Sequence, residues 1–173
     1  MTTFRKRTQA REMAMKLLYQ EHIRSRLEGG SADLDVERFL AEEAPDPQTR
    51  DYARRLYYGA LQARGATDEL IVGVTDNWRL GRIALVDLAI LRLAAYELLE
   101  IPEVPAKVVL NEAIELAKTY STAQSGAFVN GILDRLLVLR EGNASGGAGS
   151  TGGDRDEPTG ERRKPLWDFG EAP

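Results

Sequence analysis

Residues 83–99 read IALVDLAILRLAAYELL, and this stretch decides the fold. Seventeen residues of mostly apolar character are long enough to raise the question of a membrane span. Asp87, Arg92 and Glu97 interrupt the run at regular intervals, which marks a buried core helix instead. A helix that is apolar nearly all round must be enclosed by others, so its surroundings should be helical too. For the three charges, two readings stand: they emerge at the helix edges or pair with one another, or one of them emerges onto a face that binds a partner.

Outward from this helix, the apolar residues keep a helical period. Gly81 precedes it, and it is expected over Arg82 to Leu99. Pro102 and Pro105 close it and open the next helix, Ala106 to Tyr120. Ser121 or Thr122 should cap a last helix that runs to about Arg140. Toward the N-terminus, Ala10, Met13, Ala14, Leu17 and Leu18 recur at helical spacing in a first helix from Thr3 or Phe4 to Leu27, stopped by Gly29-Gly30. A short helix is expected from Asp35 to Glu43. Asp46-Pro47 supplies an N-cap and a first-turn proline for a third helix that stops at Gly65. Thr67, followed by Asp68-Glu69, looks like the cap of a fourth, ending near Asn77. No run alternates as a half-buried strand does. The expected fold is therefore all-α, a compact bundle of about seven helices.

Residues 1–141 are expected to form this single domain. From Gly142 the sequence turns to GNASGGAGSTGGDRDEPTGERR, with no apolar side chain larger than alanine before Leu166. Such composition cannot offset the entropy of ordering, so 142–173 reads as a disordered tail in which Trp167 and Phe169 carry no assigned role. The chain has no cysteine, which removes disulfides, thiolate metal sites and a cysteine nucleophile. No leader pattern opens it, and a cytoplasmic protein with no membrane association is expected.

The formal net charge is −4, but its distribution is uneven. Residues 1–28 hold seven Lys or Arg against three Glu, while 31–46 hold six acids and only Arg38. A basic end on an acidic chain confines contact with a polyanion to one place. Arg7 and Arg11 stand one helical turn apart and share a side beside the stripe of Ala10, Ala14 and Leu18. Arg5, Lys6 and Lys16 fan to the far side. Arginine forks match phosphate oxygens and stack on bases, which suits single-stranded RNA. Tyr19 and Phe128 are candidate stacking platforms.

Catalytic alternatives find little support in the spacing. His22 is the sole histidine. Glu112 and Glu115 have metal-binding spacing but lack a companion histidine, and Glu115 is better placed to pair with Lys118. The glycine-rich GGAGSTGG lacks the Lys-Ser/Thr ending of a phosphate loop. No cofactor, metal or enzymatic activity is expected.

Three segments together resemble the NusB family of bacterial transcription antitermination factors. They are RKRTQAREMAMKLLYQ (5–20), ILRLAAYEL (90–98) and VPAKVVLNEAIELAKTYSTAQSGAFVNGILDRL (104–136). The resemblance spans about residues 5–140, in order. It implies an all-α fold of two helical halves and pairing with NusE, which doubles as a small-subunit ribosomal protein. It also implies binding of the single-stranded boxA RNA element, and service in the RNA polymerase antitermination complex of ribosomal RNA operons. On that basis Arg7 and Arg11 are expected to touch RNA, with Arg5 and Lys6 as nearby phosphate contacts and Tyr19 and Phe128 close by. Gln124 falls where the family often carries an acid. Asp87 matches an acidic position expected to face NusE, while Asn111, Glu112 and Asn130 are expected to make helix-end and interhelix hydrogen bonds.

Two rivals stand beside this reading. The same fold occurs in certain RNA cytosine methyltransferases, which need a following cofactor domain and a cysteine. The other is a purely protein-binding helical adaptor in which the basic end is incidental, with self-association through an apolar surface, in a homodimer that covers the arginines, as one form of it. Free Arg7 and Arg11 favour RNA, whereas buried ion pairs, for instance to Asp33, Asp35 or Glu37, favour a structural role.

Overall fold

The helix α5 (Leu85–Glu100) is the axle of the molecule. In the computed structural model, which describes residues 2–28, 35–75 and 80–145, it is covered along most of its length, from Asp87 through Ala95 and again at Glu97 and Leu98. Around it stand α1 (Thr3–Glu28), α2 (Val36–Glu43), α3 (Pro47–Gln62), α4 (Arg64–Val74), α6 (Ala106–Tyr120) and α7 (Ser125–Ser145), with a 3-10 turn at Leu80–Arg82. No strand occurs among the described residues. α1 lies along α3 with α2 beside them, α6 and α7 pack on each other, and α5 touches α1, α3, α4, α6 and α7. The all-α bundle expected from the periodicity is what forms.

Local chemistry explains most boundaries. Asp35 caps α2 by accepting the Arg38 N–H at 3.0 Å, and Asp46 caps α3 by accepting that of Thr49 at 2.9 Å, just ahead of Pro47. The expected α1 stripe (Ala10, Met13, Ala14, Leu17 and Leu18) is buried throughout.

Four expectations are corrected. Gly65 does not stop α3: the break falls at Ala63, and α4 runs straight through Gly65. Thr67 is not a cap either; it is buried inside α4, and its hydroxyl donates back to the carbonyls of Ala63 and Arg64, both at 3.1 Å. α7 starts at Ser125 rather than after Thr122, because the Ser125 N–H closes a turn onto the Thr122 carbonyl at 3.0 Å. α7 also continues to Ser145 instead of ending near Arg140. Gly29-Gly30, Asp33, Asn77 and the segment 146–173, with Trp167 and Phe169, lie outside the described residues.

One glycine is set by packing. A Cβ at Gly59 on α3 would meet the Tyr96 ring of α5 at 2.1 Å, whereas one at Gly73 on α4 would meet nothing within 4 Å. Gly59→Ala should therefore lower the melting temperature, because displacing Tyr96 outweighs the helix-propensity gain of about 1 kcal/mol. Gly73→Ala, which keeps that gain without a clash, should raise it. Thermal unfolding followed by circular dichroism reads both, and equal shifts for the two variants would contradict the close approach.

Candidate nucleic-acid interface

The N-terminal turns of α1 lie beside α3, α5 and α6, and this placement splits the two arginines that share a helix side. Arg11 is buried, with 2 % of its surface exposed. Its Nε and Nη2 donate to the two carboxylate oxygens of Glu97 on α5, both at 2.8 Å. Its Nη1 faces Glu112 of α6 at 3.7 Å. Burial pulls the Arg11 pKa down, but the hydrogen bond and charge of Glu97 outweigh it and hold the group firmly cationic. Tyr52 of α3 donates to the same Glu97 at 2.8 Å, and Thr8 donates to Glu112 at 3.0 Å. Burial first, then the Glu97 charge, pushes the Tyr52 phenol far above its ordinary range, so it stays a donor.

Arg7, one turn earlier, is exposed and has no ion pair among the described residues. Its guanidinium lies over the Tyr52 ring, 5.3 Å from the centroid, and that of Arg11 lies 5.8 Å from it. The two arginines do share a side, as their spacing predicts. Of the two alternatives, free or ion-paired, Arg7 takes the first and Arg11 the second, its fork held inside the fold by a bidentate carboxylate. Of the acids considered as partners, Asp35 caps α2 and Glu37 pairs with Arg54 at 2.6 Å, while Asp33 lies outside the described residues.

The other basic side chains also depart from a simple far-side fan. Arg5 is exposed. Lys6 turns to the start of α3, donating to Asp46 at 2.8 Å and Gln48 at 3.0 Å. Lys16 pairs with Glu12 at 2.7 Å and lies 5.5 Å from the centre of the Tyr120 ring on α6. Tyr19 and Phe128 are half-buried against the core, and Gln124 is exposed just before α7. Tyr19 lies twelve residues beyond Arg7, about 18 Å along the axis. Arg5, Lys6, Arg7 and Tyr52 thus gather at one end of α1, and Tyr19 is not among them. Phe128 instead helps to line a shallow groove with Val74, Thr75 and Ile132.

Three aromatics were missed by the sequence reading. Phe4 is 65 % exposed directly before Arg5, a position legible in the run FRKR. Tyr52 and Tyr120 carry no local signal; only the packing of α3 and α6 on α1 brings them to the arginines and Lys16.

The charges within α5 pair with neither one another nor solvent. Glu97 meets Arg11 of α1, Arg92 makes a two-pronged pair with Asp68 of α4 at 2.6 and 2.7 Å, and Asp87 accepts the Ser125 hydroxyl of α7 at 2.9 Å. Asp87 is 5 % exposed, so in this chain by itself it does not emerge onto an open face. Its carboxylate sits under the first turn of α7, where a negative charge is favourable. Glu112 makes the interhelix contact expected of it, whereas Asn130 bonds within its own helix to Asp134 at 2.8 Å. Glu115 pairs with Lys118 at 2.8 Å. No group of three or more His, Asp or Glu among the described residues is placed to hold a metal ion, and no helix among them is long and apolar enough to cross a membrane.

The NusB family model matches residues 8–137. The chain belongs to the NusB family. It is similar to the transcription antitermination protein NusB of Sorangium cellulosum, with 45 % identity over 130 residues that cover 75 % of this chain and 90 % of that protein. The solved structure of T. maritima NusB superposes with a TM-score of 0.66 at 38 % identity, covering 76 % of this chain and 90 % of that one. A structure titled as antitermination factors NusB and NusE in complex with dsRNA shares the fold, with a TM-score of 0.63, 24 % identity, and coverage of 80 % and 99 %. The NusB-family match begins one residue after Arg7, so it includes the buried Arg11 and leaves out the exposed basic turn before it.

Two outcomes follow from this geometry. Arg11→Ala strands Glu97 without a counter-charge and should cost about 3–5 kcal/mol in urea unfolding, whereas Arg7→Ala should change stability by under about 1 kcal/mol. Equal losses would contradict the burial. Lys6, followed by the Thr49 N–H, holds the Asp46 carboxyl down at about 2, against an ordinary 3.8. A depressed pKa means that this contribution to stability is complete above the ordinary value and disappears as pH falls through about 2. Lys6→Met should raise the Asp46 pKa in an NMR titration of the carboxyl carbons, and an unmoved value would show that the contact does not form.

Proposed function

We propose that this NusB-family chain is a transcription antitermination factor that binds boxA-type single-stranded RNA together with a NusE-type ribosomal protein. In this reading it supports RNA polymerase on ribosomal RNA operons, and it acts in the cytoplasm by binding rather than by catalysis. The observation that carries the reading is the end of α1. There Arg5 and Arg7 are exposed, Phe4 is solvent-facing, and Arg7 rests on Tyr52, which limits its freedom before any ligand arrives. Exposed guanidinium groups beside aromatic faces suit a strand with accessible phosphates and unpaired bases. The antitermination name of the similar protein from Sorangium cellulosum supports the same reading.

The residue roles are revised accordingly. Arg5 and Arg7 contact phosphate or stack on bases, and Lys6 joins them once RNA draws it from Asp46. Arg11 is a positioning residue that fixes Tyr52 and the α1 backbone beneath Arg7. Tyr19, Gln124 and Phe128 are reached only by RNA that continues along the body. Asp87 acts on a partner through the start of α7, which it anchors.

A second reading, a self-associating adaptor, draws on Val138 and Leu139, which are 69 % and 45 % exposed beside a shallow groove with Gly73 and Val74. Fluorescence anisotropy of a labelled boxA-type RNA, with and without the NusE-type protein and across salt concentrations, separates the two. Preference for boxA over a scrambled strand, tightened by the partner, is the expected result. Arg5→Ala with Arg7→Ala should weaken binding and reduce the salt slope by about 0.7 per lost phosphate contact, with helicity intact. No preference under any condition, together with mass that grows with concentration in sedimentation, would replace the RNA reading by the adaptor.

A further inference from the structure

A second cationic site lies toward the other end of α1. Arg26 is nineteen residues beyond Arg7, about 28 Å along the helix axis, so this site is separate from the proposed RNA-binding turn and does not depend on it. Here a cleft of about 180 Å³ opens between the late turns of α1, the first turn of α4 and the side of α5. Its polar lining is His22, Ser25, Arg26, Arg64 and Arg92, and leucines of α5 form part of its wall. The space is enough for several waters, and so for a tetrahedral oxyanion.

Among the described residues, the charges lining this cleft do not balance. Arg92 is matched by Asp68, which grips it with both oxygens. Arg26 and Arg64 line it without an ion pair among the described residues. His22 records the imbalance. Burial lowers its pKa first, then the charges of Arg92, Arg64 and Arg26 lower it further, against the weaker opposing pull of Asp68. The imidazole is neutral at pH 7, and its Nδ1 accepts from Arg92 at 3.1 Å. That contact leaves the ring proton on Nε2.

We propose that this cleft binds a phosphate group, held by the forks of Arg26 and Arg64 over the floor formed by Arg92 and His22. Arginine is suited to this because its planar donors match phosphate oxygens two at a time. Both a phosphodiester of an RNA strand and free inorganic phosphate present this chemistry.

His22 is the only histidine in the chain, so its ring signals in the NMR spectrum of the full-length protein are unambiguous. Its pKa is measured in chloride, in inorganic phosphate and with a single-stranded RNA oligonucleotide, all at one ionic strength. A bound anion offsets the arginine charges and should raise the His22 pKa by about one. Arg26→Gln with Arg64→Gln should raise the pKa in chloride alone and abolish the further response to anions. A response to phosphate but not to RNA assigns the site to a free anion, and a response to RNA alone assigns it to the strand. A wild-type pKa that is the same in all three solutions overturns the proposal, as does an unchanged anion response in the double variant.

Discussion

A charge inside an apolar helix must be answered from another helix, and in this protein that constraint organises everything else. α5 carries Asp87, Arg92 and Glu97 at intervals of five residues. At about 100° per residue, successive positions turn by about 140°, so the three side chains leave the axle in three different directions. Each is met by a different element: α7 through Ser125, α4 through Asp68, and α1 through Arg11. An evenly apolar helix could settle in its socket at several rotations with similar packing. The three polar contacts favour one rotation, in which Arg92 and Glu97 meet opposite charges and Asp87 rests one oxygen on the Ser125 hydroxyl, its Oδ1 having no hydrogen-bond partner among the described residues. The burial of leucines supplies most of the stabilisation, and the charges decide which arrangement receives it.

The same constraint shapes the candidate RNA surface. Counted along the sequence Arg11 is part of the basic end, yet in the fold it belongs to the core. By holding Glu97, and through it the Tyr52 hydroxyl, it sets the aromatic ring on which Arg7 lies. The surface arginine therefore rests on a layer that the buried one fixes. Lys6 is held in a similar way by Asp46, an acid that also caps α3.

The fold was legible because helical periodicity is a local property. The proline and aspartate signals at Asp46-Pro47 and Pro105 placed their helices correctly, and the α1 stripe is buried as spaced. Local signals failed where a tertiary neighbour decided the outcome. Gly65 and Thr67 look like punctuation, but the helix passes through them, and the Thr67 hydroxyl bonds its own preceding turn. The site was less legible than the fold. Spacing showed that Arg7 and Arg11 share a side, but only the position of Glu97, 86 residues away, shows that one of them is inside. Tyr52 and Tyr120 were invisible for the same reason. Spacing left open whether Asp87 emerges or is buried, and only the start of α7, which closes over it, decides.

The distance in sequence between α1 and its partners has a consequence for how the protein is made. Arg11 leaves the ribosome long before Glu97, and Thr8 precedes Glu112 by 104 residues. At roughly 5–20 residues per second, the 86 residues from Arg11 to Glu97 take roughly 4–17 s to synthesise. Throughout that interval α1 lacks the counter-charge of Glu97, and its apolar cover is incomplete, since α2 and α3 precede α5 but α6 follows it. The step that buries Arg11 also completes the core, and it waits until α5 and α6 have emerged. The exposed turn at Arg5 and Arg7 gains its fixed footing only then, so a nascent chain presents its basic residues early but in no settled arrangement.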